Sequence, residues 1–322
     1  MDIEGIKRFL GADWTKTQEI ISTALRSDVD LLSKLNEGIL LNSGKQLRPM
    51  VVLLMARICG VSTASTCCYA AACEILHNAT LIHDDIADES RERRGKPSVS
   101  SLIGSSAAVL VGDFWLSKAM AVIMKADYSA EANCLFSKTL VDLAEGEMLQ
   151  IEKAASLDTT EEDYLRIIVC KTASLFETAA AVGALSVGAS GEMLEAAKAY
   201  ARNLGIAFQI EDDILDYSGD ASLGKPLGAD LIEHKITLPL LGAMVGSSRE
   251  NEIRVMVADA DWDTAKRDEI CRFVLEGGGL DYAARRLEDF IAKAVDALSI
   301  FPDSQEKRFL EAIARYNSVR KK

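Results

Sequence analysis

Proline is scarce in this sequence, which contains five prolines in 322 residues against 43 alanines. Alanine has the highest intrinsic helix propensity and proline the lowest, so this ratio favours helix. Pro49 follows the turn-forming residues 42–44 and suits the first turn of a helix, and Pro302 lies in a short polar segment between two late helical windows. We therefore predict a chain of helices punctuated by prolines, without strands.

Paired cysteines and excess basic charge are also missing. Seven cysteines are scattered without a CxxC pair, which favours free thiols over a zinc site or a disulfide framework. Acidic residues outnumber basic ones by 49 to 36, and such a surface argues against non-specific binding to nucleic acid or anionic lipid. The N-terminal segment does not resemble a signal peptide, and no run of 18 residues is both apolar and uncharged. We expect a cytoplasmic protein without a transmembrane segment, which binds any phosphate group in a local basic pocket.

Helical periodicity runs through the whole chain. Helical patterning without the alternation of strands covers residues 66–85, 100–125, 164–182 and 192–217. No Gly/Ser linker, charge block or shift in composition divides residues 1–322. We predict a single all-α domain of ten or more helices joined by short loops.

Two distant helical segments carry the same acidic pattern, in which three aspartates stand at positions i, i+1 and i+4. On a helix these positions fall within about a third of the circumference, so the carboxylates repel one another unless a cation lies among them. Oxygen ligands without a Cys or His cluster select a hard ion such as Mg²⁺, which is usually bound by one or two carboxylates and phosphate oxygens. Each motif follows an apolar stretch and precedes a polar loop, so we expect it at the end of a buried helix, at the mouth of a cavity. The predicted metal ligands are Asp84, Asp85, Asp88, Asp212, Asp213 and Asp216.

Basic side chains are grouped around the two aspartate motifs. One lysine or arginine alone is usually a solvated surface residue, but a group of them beside acids and near a helix start suits a bound phosphate. The candidate phosphate-binding residues are Lys45, Arg48, the basic residues of segment 91–96 (Arg91, Arg93, Arg94 and Lys96), Lys171, Lys225 and Lys235.

The motifs and their order along the chain resemble those of the trans-polyprenyl diphosphate synthases, the head-to-tail chain-elongating isoprenyl family. The segment Gly44-Lys45-Gln46-Leu47-Arg48-Pro49 resembles the family's G-K-x-x-R-P motif. His77 precedes the first aspartate motif and Arg93-Arg94-Gly95 follows it, as in the family. The remaining matches, also in the family's order, are Lys171-Thr172, Gln209, Lys225 and Lys235. The resemblance runs nearly end to end and implies an isoprenoid-synthase bundle around a central cavity, usually as a homodimer.

The resemblance also implies a role for each group of residues. It implies that the six aspartates share Mg²⁺, as three ions that Mn²⁺ could replace, with the diphosphate of dimethylallyl, geranyl or farnesyl diphosphate. The second substrate, isopentenyl diphosphate, is implied at Lys45, Arg48, His77 and Arg94. The allylic diphosphate is implied at Arg93, Lys171, Gln209, Lys225 and Lys235, with Thr172 and Gln209 near the allylic cation. The residues assigned to catalysis are Asp84, Asp85, Asp88, Lys171, Thr172, Gln209, Asp212 and Lys235.

Product length is expected to depend on the residues just before the first motif. Short-chain members of the family often place an aromatic ring four or five residues upstream of it, where this chain has Thr80 and Ala79. The motif also lacks the two-residue insertion of many bacterial short-chain enzymes. We predict a product longer than C15, of C30–C40 as in an octaprenyl diphosphate synthase, with C20 geranylgeranyl diphosphate as the alternative. A deeper floor could be formed by Trp115, Met120 or Met124.

Two other function classes share the expected fold. Terpene cyclases typically replace the second aspartate motif, which is intact here, and non-catalytic subunits of heteromeric prenyl synthases lose acids or basic anchors that this chain keeps. Taken alone, His77 suits a buried core position, and His83 suits either the surface or a second layer around the aspartates. His234 stands where the family often has glycine.

Overall fold

The computed structural model describes residues 2–218, 228–259 and 263–316. In these residues almost all regular structure is helical, which confirms the prediction of an all-α fold with more than ten helices. The elements are α1 (Ile3–Leu10), α2 (Ala12–Ala24), α3 (Asp30–Leu40), α4 (Leu47–Cys59), α5 (Ala64–Ala87), β1 (Glu92–Arg93), β2 (Lys96–Pro97), α6 (Val99–Ile103), α7 (Ser105–Ile123), α8 (Ser129–Ser156), α9 (Glu161–Ile168), a π-helical segment (Val169–Ala173), α10 (Ser174–Leu185), α11 (Glu192–Ser218), α12 (Ala229–Ile232), α13 (Leu238–Met244), α14 (Glu250–Ala258), α15 (Thr264–Glu276), α16 (Gly279–Ala297) and α17 (Gln305–Arg315).

One small hairpin corrects the expectation that strands are absent. Strand β1 pairs antiparallel with β2, with Glu92 opposite Pro97 and Arg93 opposite Lys96. The turn residues Arg94 and Gly95 have φ values of 53° and 72°. Positive φ at both central residues is typical of the turns that match hairpin twist. A ladder of two residues per strand is too short to produce an alternating pattern in the sequence.

Helix boundaries follow local capping chemistry. Thr63 and Thr66 form a capping box that begins α5, and Thr160 and Asp163 form another that begins α9. Each box satisfies two backbone N–H groups that have no partner within the helix. Pro49 lies in the first turn of α4, as predicted.

All four sequence segments predicted to be helical are largely helical in the structure, and two of them are not a single regular α-helix. Windows 66–85 and 192–217 lie within α5 and α11, and Pro302 lies between α16 and α17 as predicted. Window 100–125 is divided between α6 and α7 at Gly104, whose φ of 80° does not continue a helix. Window 164–182 contains the π-helical segment between α9 and α10.

The chain divides into two compact units. Unit 1 comprises Met1–Lys138, Leu175–Ala201 and Ala297–Ile313, and unit 2 comprises Thr139–Ser174, Arg202–Asp296 and Ala314–Lys322. The organisation of residues 1–322 as a single domain stays a prediction.

The core of unit 1 is built around α4 and α5. Helix α5 packs against α2, α4 and α7, and most of its residues are buried. Residues Leu53 and Leu54 of α4 and Trp115 of α7 are fully buried, and the Trp115 Nε1–H donates to Asn36 Oδ1 of α3 at 2.8 Å. A helix that is enclosed on nearly all sides is apolar all round rather than amphipathic, so α5 gives the first aspartate motif a rigid support.

The core of unit 2 joins α9, α11, α13, α15 and α16. Ile210 of α11, Leu240 of α13 and Val274 of α15 are fully buried members of this cluster. Helices α13 and α16 approach closely, since a Cβ at Gly242 would lie 2.7 Å from the Cβ of Tyr282. The second aspartate motif is therefore also carried by a well-packed helix.

Within the part of the chain that the structure describes, two helical segments are long and apolar enough to cross a membrane by length and composition, and such segments also occur as core helices. Glu161–Leu185 is 72% buried over its apolar window, whereas Ser105–Ile123 is 39% buried. Helix α7 therefore exposes much of its apolar surface. All seven cysteines are free, as predicted, and only Cys134 is exposed.

Candidate active site

The first aspartate motif lies at the C-terminal end of α5, as predicted. Asp84 and Asp85 occupy its last turn and Asp88 is the C-cap residue. Asp85 is buried, and Arg93 of β1 donates to its Oδ1 through Nε at 2.7 Å and Nη2 at 2.6 Å. The hairpin therefore holds Arg93 against the first motif.

Arg94 joins the hairpin to the loop that precedes α4. Its Nη1 donates to the backbone carbonyl of Asn42. The Arg94 guanidinium lies directly over Gly44, since a Cβ there would be 2.7 Å from its central carbon, and the Gly44 φ of +69° is a backbone conformation that favours glycine. Two motifs that are far apart in the sequence, Gly44 to Pro49 and Arg93 to Gly95, therefore meet in unit 1.

Arg48, Glu74, His77 and Arg94 form an arginine cluster in unit 1. The Arg48 guanidinium lies 4.3 Å from the centroid of the Phe176 ring, which is within cation–π distance. Burial, together with the charges of Arg48 and Arg94, lowers the pKa of His77, so its imidazole is neutral. Burial raises the pKa of Glu74 to about 7, although Arg48 and a hydrogen bond from Asn78 oppose the shift. The arginine cluster thus combines strong anion-binding donors with one buried carboxyl group.

Tyr164, Thr172, Gln209 and Asp213 form an aspartate network in unit 2. Gln209 Nε2 donates to Asp213 Oδ1 at 2.9 Å, and the Tyr164 hydroxyl donates to Asp213 Oδ2 at 2.6 Å. The Thr172 hydroxyl donates to Gln209 Oε1 at 2.7 Å. Both carboxylate oxygens of Asp213 are therefore held in fixed directions.

The π-helical segment explains how Tyr164 and Thr172 both reach side chains of α11. In a regular α-helix, two residues eight positions apart point in directions that differ by about 80°. A π turn contains one extra residue, so here the two side chains point to nearly the same side. Lys171 then faces α8, where it pairs with Glu147 and donates to Gln150 Oε1 at 3.0 Å. Helix α8 comes close here, since a Cβ at Gly146 would lie 2.9 Å from Lys171 Cγ.

The last aspartate of the second motif ties α11 to the segment that follows. Asp216 accepts from the backbone N–H groups of Ala229 at 3.0 Å and Asp230 at 3.2 Å. His234 has a φ of 56°, a conformation that glycine adopts without strain, which gives a physical reason for the family's frequent glycine. The Nδ1 of His234 lies 2.5 Å from the Val257 carbonyl oxygen.

Two further predicted anchors follow the second motif. Lys235 pairs with Glu233 in this structure. Lys225 lies outside the described residues.

Each unit has a cavity beside its motif. The cavity of unit 2 has a volume of about 140 Å³ and includes Lys171, Thr172, Gln209, Asp213, Asp230 and Lys235 in its wall. The cavity of unit 1 has a volume of about 260 Å³ and includes Asp85, Arg93 and Arg94 beside apolar residues of α3 and α5. One aspartate of each motif, Asp85 or Asp213, therefore lines a cavity, and the placement of the other four at a cavity mouth stays a prediction.

The carboxylates fit a hard divalent cation that is shared with a phosphate ligand. Burial and the nearby charges of Asp230 and Asp212 raise the pKa of Asp213, and a cation beside these groups would oppose that shift. Among the described residues, no group of three or more His, Cys, Asp or Glu side chains could hold an ion by itself. Mg²⁺ does not need such a cage, because one or two carboxylates and phosphate oxygens suffice.

The predicted chain-length residues lie inside α5. Ala79 is buried, and the Thr80 hydroxyl donates to the His77 carbonyl at 2.8 Å. Of the deeper candidates, Trp115 is buried and Met124 is 61% exposed. Their effect on product length stays a prediction. His83 contacts α7, with its Nε2 3.5 Å from Asp113 Oδ1.

Several site residues were missed by sequence reasoning. Glu74 could have been noticed as a carboxyl group within an otherwise apolar helix, three residues before His77. Tyr164 and Phe176 gave no such signal, because an aromatic residue in an apolar window is usually a core residue. Glu147 and Gln150 were missed because a polar residue on α8 is by default a solvated one.

Comparison with known proteins places these features in a family. The polyprenyl synthetase family matches residues 29–274. Octaprenyl diphosphate synthase of Haemophilus influenzae is 37% identical over 99% of this chain and 97% of its own length. Geranylgeranyl diphosphate synthase of Methanosarcina mazei is 36% identical over 85% of each chain. The crystal structure of a polyprenyl synthase from Caulobacter crescentus, complexed with calcium and isoprenyl diphosphate, superposes with a TM-score of 0.93, at 34% identity over 100% of this chain and 98% of that one. The chain belongs to the polyprenyl synthetase family and is a prenyltransferase.

Proposed function

We propose that this prenyltransferase condenses isopentenyl diphosphate with an allylic prenyl diphosphate in repeated Mg²⁺-dependent head-to-tail steps, and that its final product is C30–C40. The observation that carries the proposal is the aspartate network beside Lys171 and Lys235 in the unit 2 cavity. This arrangement combines oxygen donors for a hard cation with two ammonium groups that suit phosphate oxygens.

The allylic substrate is assigned to the aspartates and the lysines near them. Lys171, Lys225 and Lys235 neutralise its diphosphate, and Arg93 binds it from the hairpin. When bound to Asp84, Asp85, Asp88, Asp212, Asp213 and Asp216, Mg²⁺ supplies charge neutralisation that makes the diphosphate a better leaving group. The side-chain oxygens of Thr172 and Gln209 stabilise the positive charge that develops on the allylic carbon as its C–O bond breaks.

The homoallylic substrate is assigned to the arginine cluster. Arg48, Arg94 and Lys45 bind the diphosphate of isopentenyl diphosphate through charge-assisted hydrogen bonds, and the neutral His77 imidazole donates one more. The double bond of isopentenyl diphosphate then forms the new C1'–C4 bond with the allylic carbon. The released pyrophosphate takes the proton that is lost, so no side-chain base is needed.

The proposed product length rests on the size of two residues and on the names of relatives. Small residues at Ala79 and Thr80 support a product longer than C15, and a relative named for octaprenyl diphosphate supports the C30–C40 range. A relative named for geranylgeranyl diphosphate favours C20 as the second candidate.

We also propose that the protein is a cytoplasmic homodimer. Helix α7 exposes apolar side chains, among them Leu110 at 68% and Val109 at 38% of their surface. Contiguous exposed apolar surface commonly marks an association site, and two-fold dimers are the most frequent assemblies.

Metal removal and aspartate replacement test the proposed function. We expect no product in EDTA, with activity restored by excess Mg²⁺ or Mn²⁺. Asp84→Ala or Asp212→Ala should lower kcat by several decades while the far-UV circular dichroism stays unchanged, because the loss falls on the transition state. Asp296→Ala, on the exposed face of α16, is the matched control. Full activity in EDTA, or equal activity of all three variants, contradicts the proposal.

A further inference from the structure

The buried hydroxyl of Tyr164 has an unusual partner for a core residue. Tyr164 is 3% exposed and its ring packs within the apolar core of unit 2, yet its hydroxyl donates to Asp213 Oδ2 at 2.6 Å. An O–H···O distance of this length is at the short end of the range for hydroxyl donors, so the bond fixes the direction of the Asp213 carboxyl group. A buried residue of α9 is thereby connected directly to the second aspartate motif.

The direction of each bond in the aspartate network follows from its donors. The Thr172 hydroxyl bonds to one end of the Gln209 side chain at 2.7 Å, and the other end of Gln209 bonds to Asp213 Oδ1 at 2.9 Å. Because Asp213 is an acceptor, the Gln209 amide nitrogen must face it and the amide oxygen must face Thr172. Asp213 is thus oriented by Gln209 on one oxygen and by Tyr164 on the other.

We propose that Tyr164 is a positioning residue for the second aspartate motif, because its hydroxyl holds the Asp213 carboxylate in the orientation that receives a divalent cation. In this role Tyr164 acts through Asp213, and its side chain also forms part of the wall of the unit 2 cavity. Side chains that orient metal-binding groups typically change metal affinity by 10- to 100-fold when they are replaced. The inference rests on the proposed function, in which the second motif binds a metal ion together with a diphosphate.

A second buried tyrosine provides a matched control. Tyr200 of α11 is fully buried, and its hydroxyl donates to the backbone carbonyl of Leu310 at 2.8 Å within unit 1. Tyr200→Phe therefore removes a buried tyrosine hydrogen bond without touching a site residue. Tyr164→Phe removes the same group from Asp213 and keeps the volume of the ring.

The decisive measurement is metal binding rather than turnover. Mn²⁺ is titrated into each protein with an equimolar amount of inorganic pyrophosphate, free Mn²⁺ is read from its electron paramagnetic resonance signal, and the Mn²⁺ bound by pyrophosphate in the same titration without protein is subtracted. We expect Tyr164→Phe to raise the Kd for Mn²⁺ at least tenfold, and Tyr200→Phe to stay within twofold of the wild type. Circular dichroism and thermal unfolding of both variants show that each is folded at the titration temperature.

A double-mutant cycle tests whether Tyr164 acts through Asp213. If it does, Tyr164→Phe should cause no further loss of Mn²⁺ affinity in an Asp213→Asn background. Wild-type Mn²⁺ affinity in Tyr164→Phe, an equal loss in Tyr200→Phe, or an undiminished effect in the Asp213→Asn background overturns the inference. A wild-type protein that neither binds Mn²⁺ with pyrophosphate nor extends prenyl chains overturns the proposed function instead.

Discussion

At the residue scale, several predicted phosphate-binding cations have a carboxylate partner. Arg93 pairs with Asp85, Lys171 with Glu147 and Lys235 with Glu233. A bound diphosphate would compete with these carboxylates for the same donors. The affinity for each substrate then depends on the difference between the hydrogen bonds that a cation makes to the diphosphate and those that it makes to its carboxylate partner. Replacing one cation at a time measures that difference.

The basic anchors should separate by substrate. We expect Arg48→Ala and Arg94→Ala mainly to raise the KM for isopentenyl diphosphate, and Lys171→Ala and Lys235→Ala mainly to impair use of the allylic diphosphate. Each lost charge-assisted contact is worth about 1.5–3 kcal/mol, or one to two decades. Steady-state kinetics with each substrate varied in turn provides the test. Identical changes in both KM values across the four variants would show that there are not two subsites.

Glu74 should make stability depend on pH. Its carboxyl group has a pKa of about 7 in the folded protein, above the ordinary value near 4.3, so folding favours the protonated form. That stabilisation is complete below about pH 4, falls as pH rises, and is lost above about pH 7, with a total of roughly 4 kcal/mol. The free energy of unfolding, measured in urea, should therefore fall more steeply from pH 5 to pH 7.5 in the wild type than in Glu74→Gln.

The control for this pH effect is Glu288→Gln, on the exposed face of α16. It should retain the wild-type pH dependence. A Glu74→Gln variant that loses stability between pH 5 and pH 7.5 as steeply as the wild type does would contradict the assignment.

The charged residues of the site were largely predictable at this scale, but their neighbours were not. The spacing of the aspartates and the G-K-x-x-R-P segment is visible in the sequence because charge within an apolar pattern is conspicuous. The proposed role of Tyr164 depends on its contact with Asp213, a residue 49 positions away in the chain. Sequence periodicity describes each helix separately, so it cannot predict which side chains of two different helices contact each other.

At the element scale, two helices with polar functional ends carry the motifs. The buried body of α5 was predictable from its apolar window, and its aspartates follow at the end. The π-helical segment was not predictable, because an extra residue in one turn leaves no mark on composition. The hairpin was missed since its fold depends on the positive φ values of Arg94 and Gly95, and arginine is not a residue that signals such a turn.

Helix α5 should also set the product length. Ala79→Phe places a ring one turn upstream of Asp84, and we expect the product to shorten towards C15–C20 while catalysis survives. Overpacking of a buried alanine should cost about 1–3 kcal/mol of stability. Ala70→Phe is the control, since Ala70 is equally buried and nine positions upstream, on the opposite face of the helix. Chromatography of dephosphorylated products gives the result; an unchanged length, or the same shortening in both variants, contradicts the assignment of Ala79.

At the scale of the whole molecule, the exposed apolar face of α7 should mediate self-association. Leu110→Arg places a charge in that face, and we expect it to convert a dimer into a monomer in sedimentation velocity. Leu275→Arg on α15 is the control, because Leu275 is also exposed, at 54%. A wild-type monomer, or a Leu110→Arg dimer as stable as the wild type, contradicts the proposed homodimer.

The central claim is that the molecule elongates prenyl diphosphates beyond C15. The most direct measurement incubates the purified protein with Mg²⁺, farnesyl diphosphate and radiolabelled isopentenyl diphosphate, and separates the dephosphorylated products by reversed-phase chromatography. We predict a ladder of products in steps of five carbons that ends between C30 and C40. A ladder that ends at C20 would overturn the predicted length and support the geranylgeranyl alternative. No incorporation of label, or release of a cyclic hydrocarbon from farnesyl diphosphate, would contradict the account as a whole.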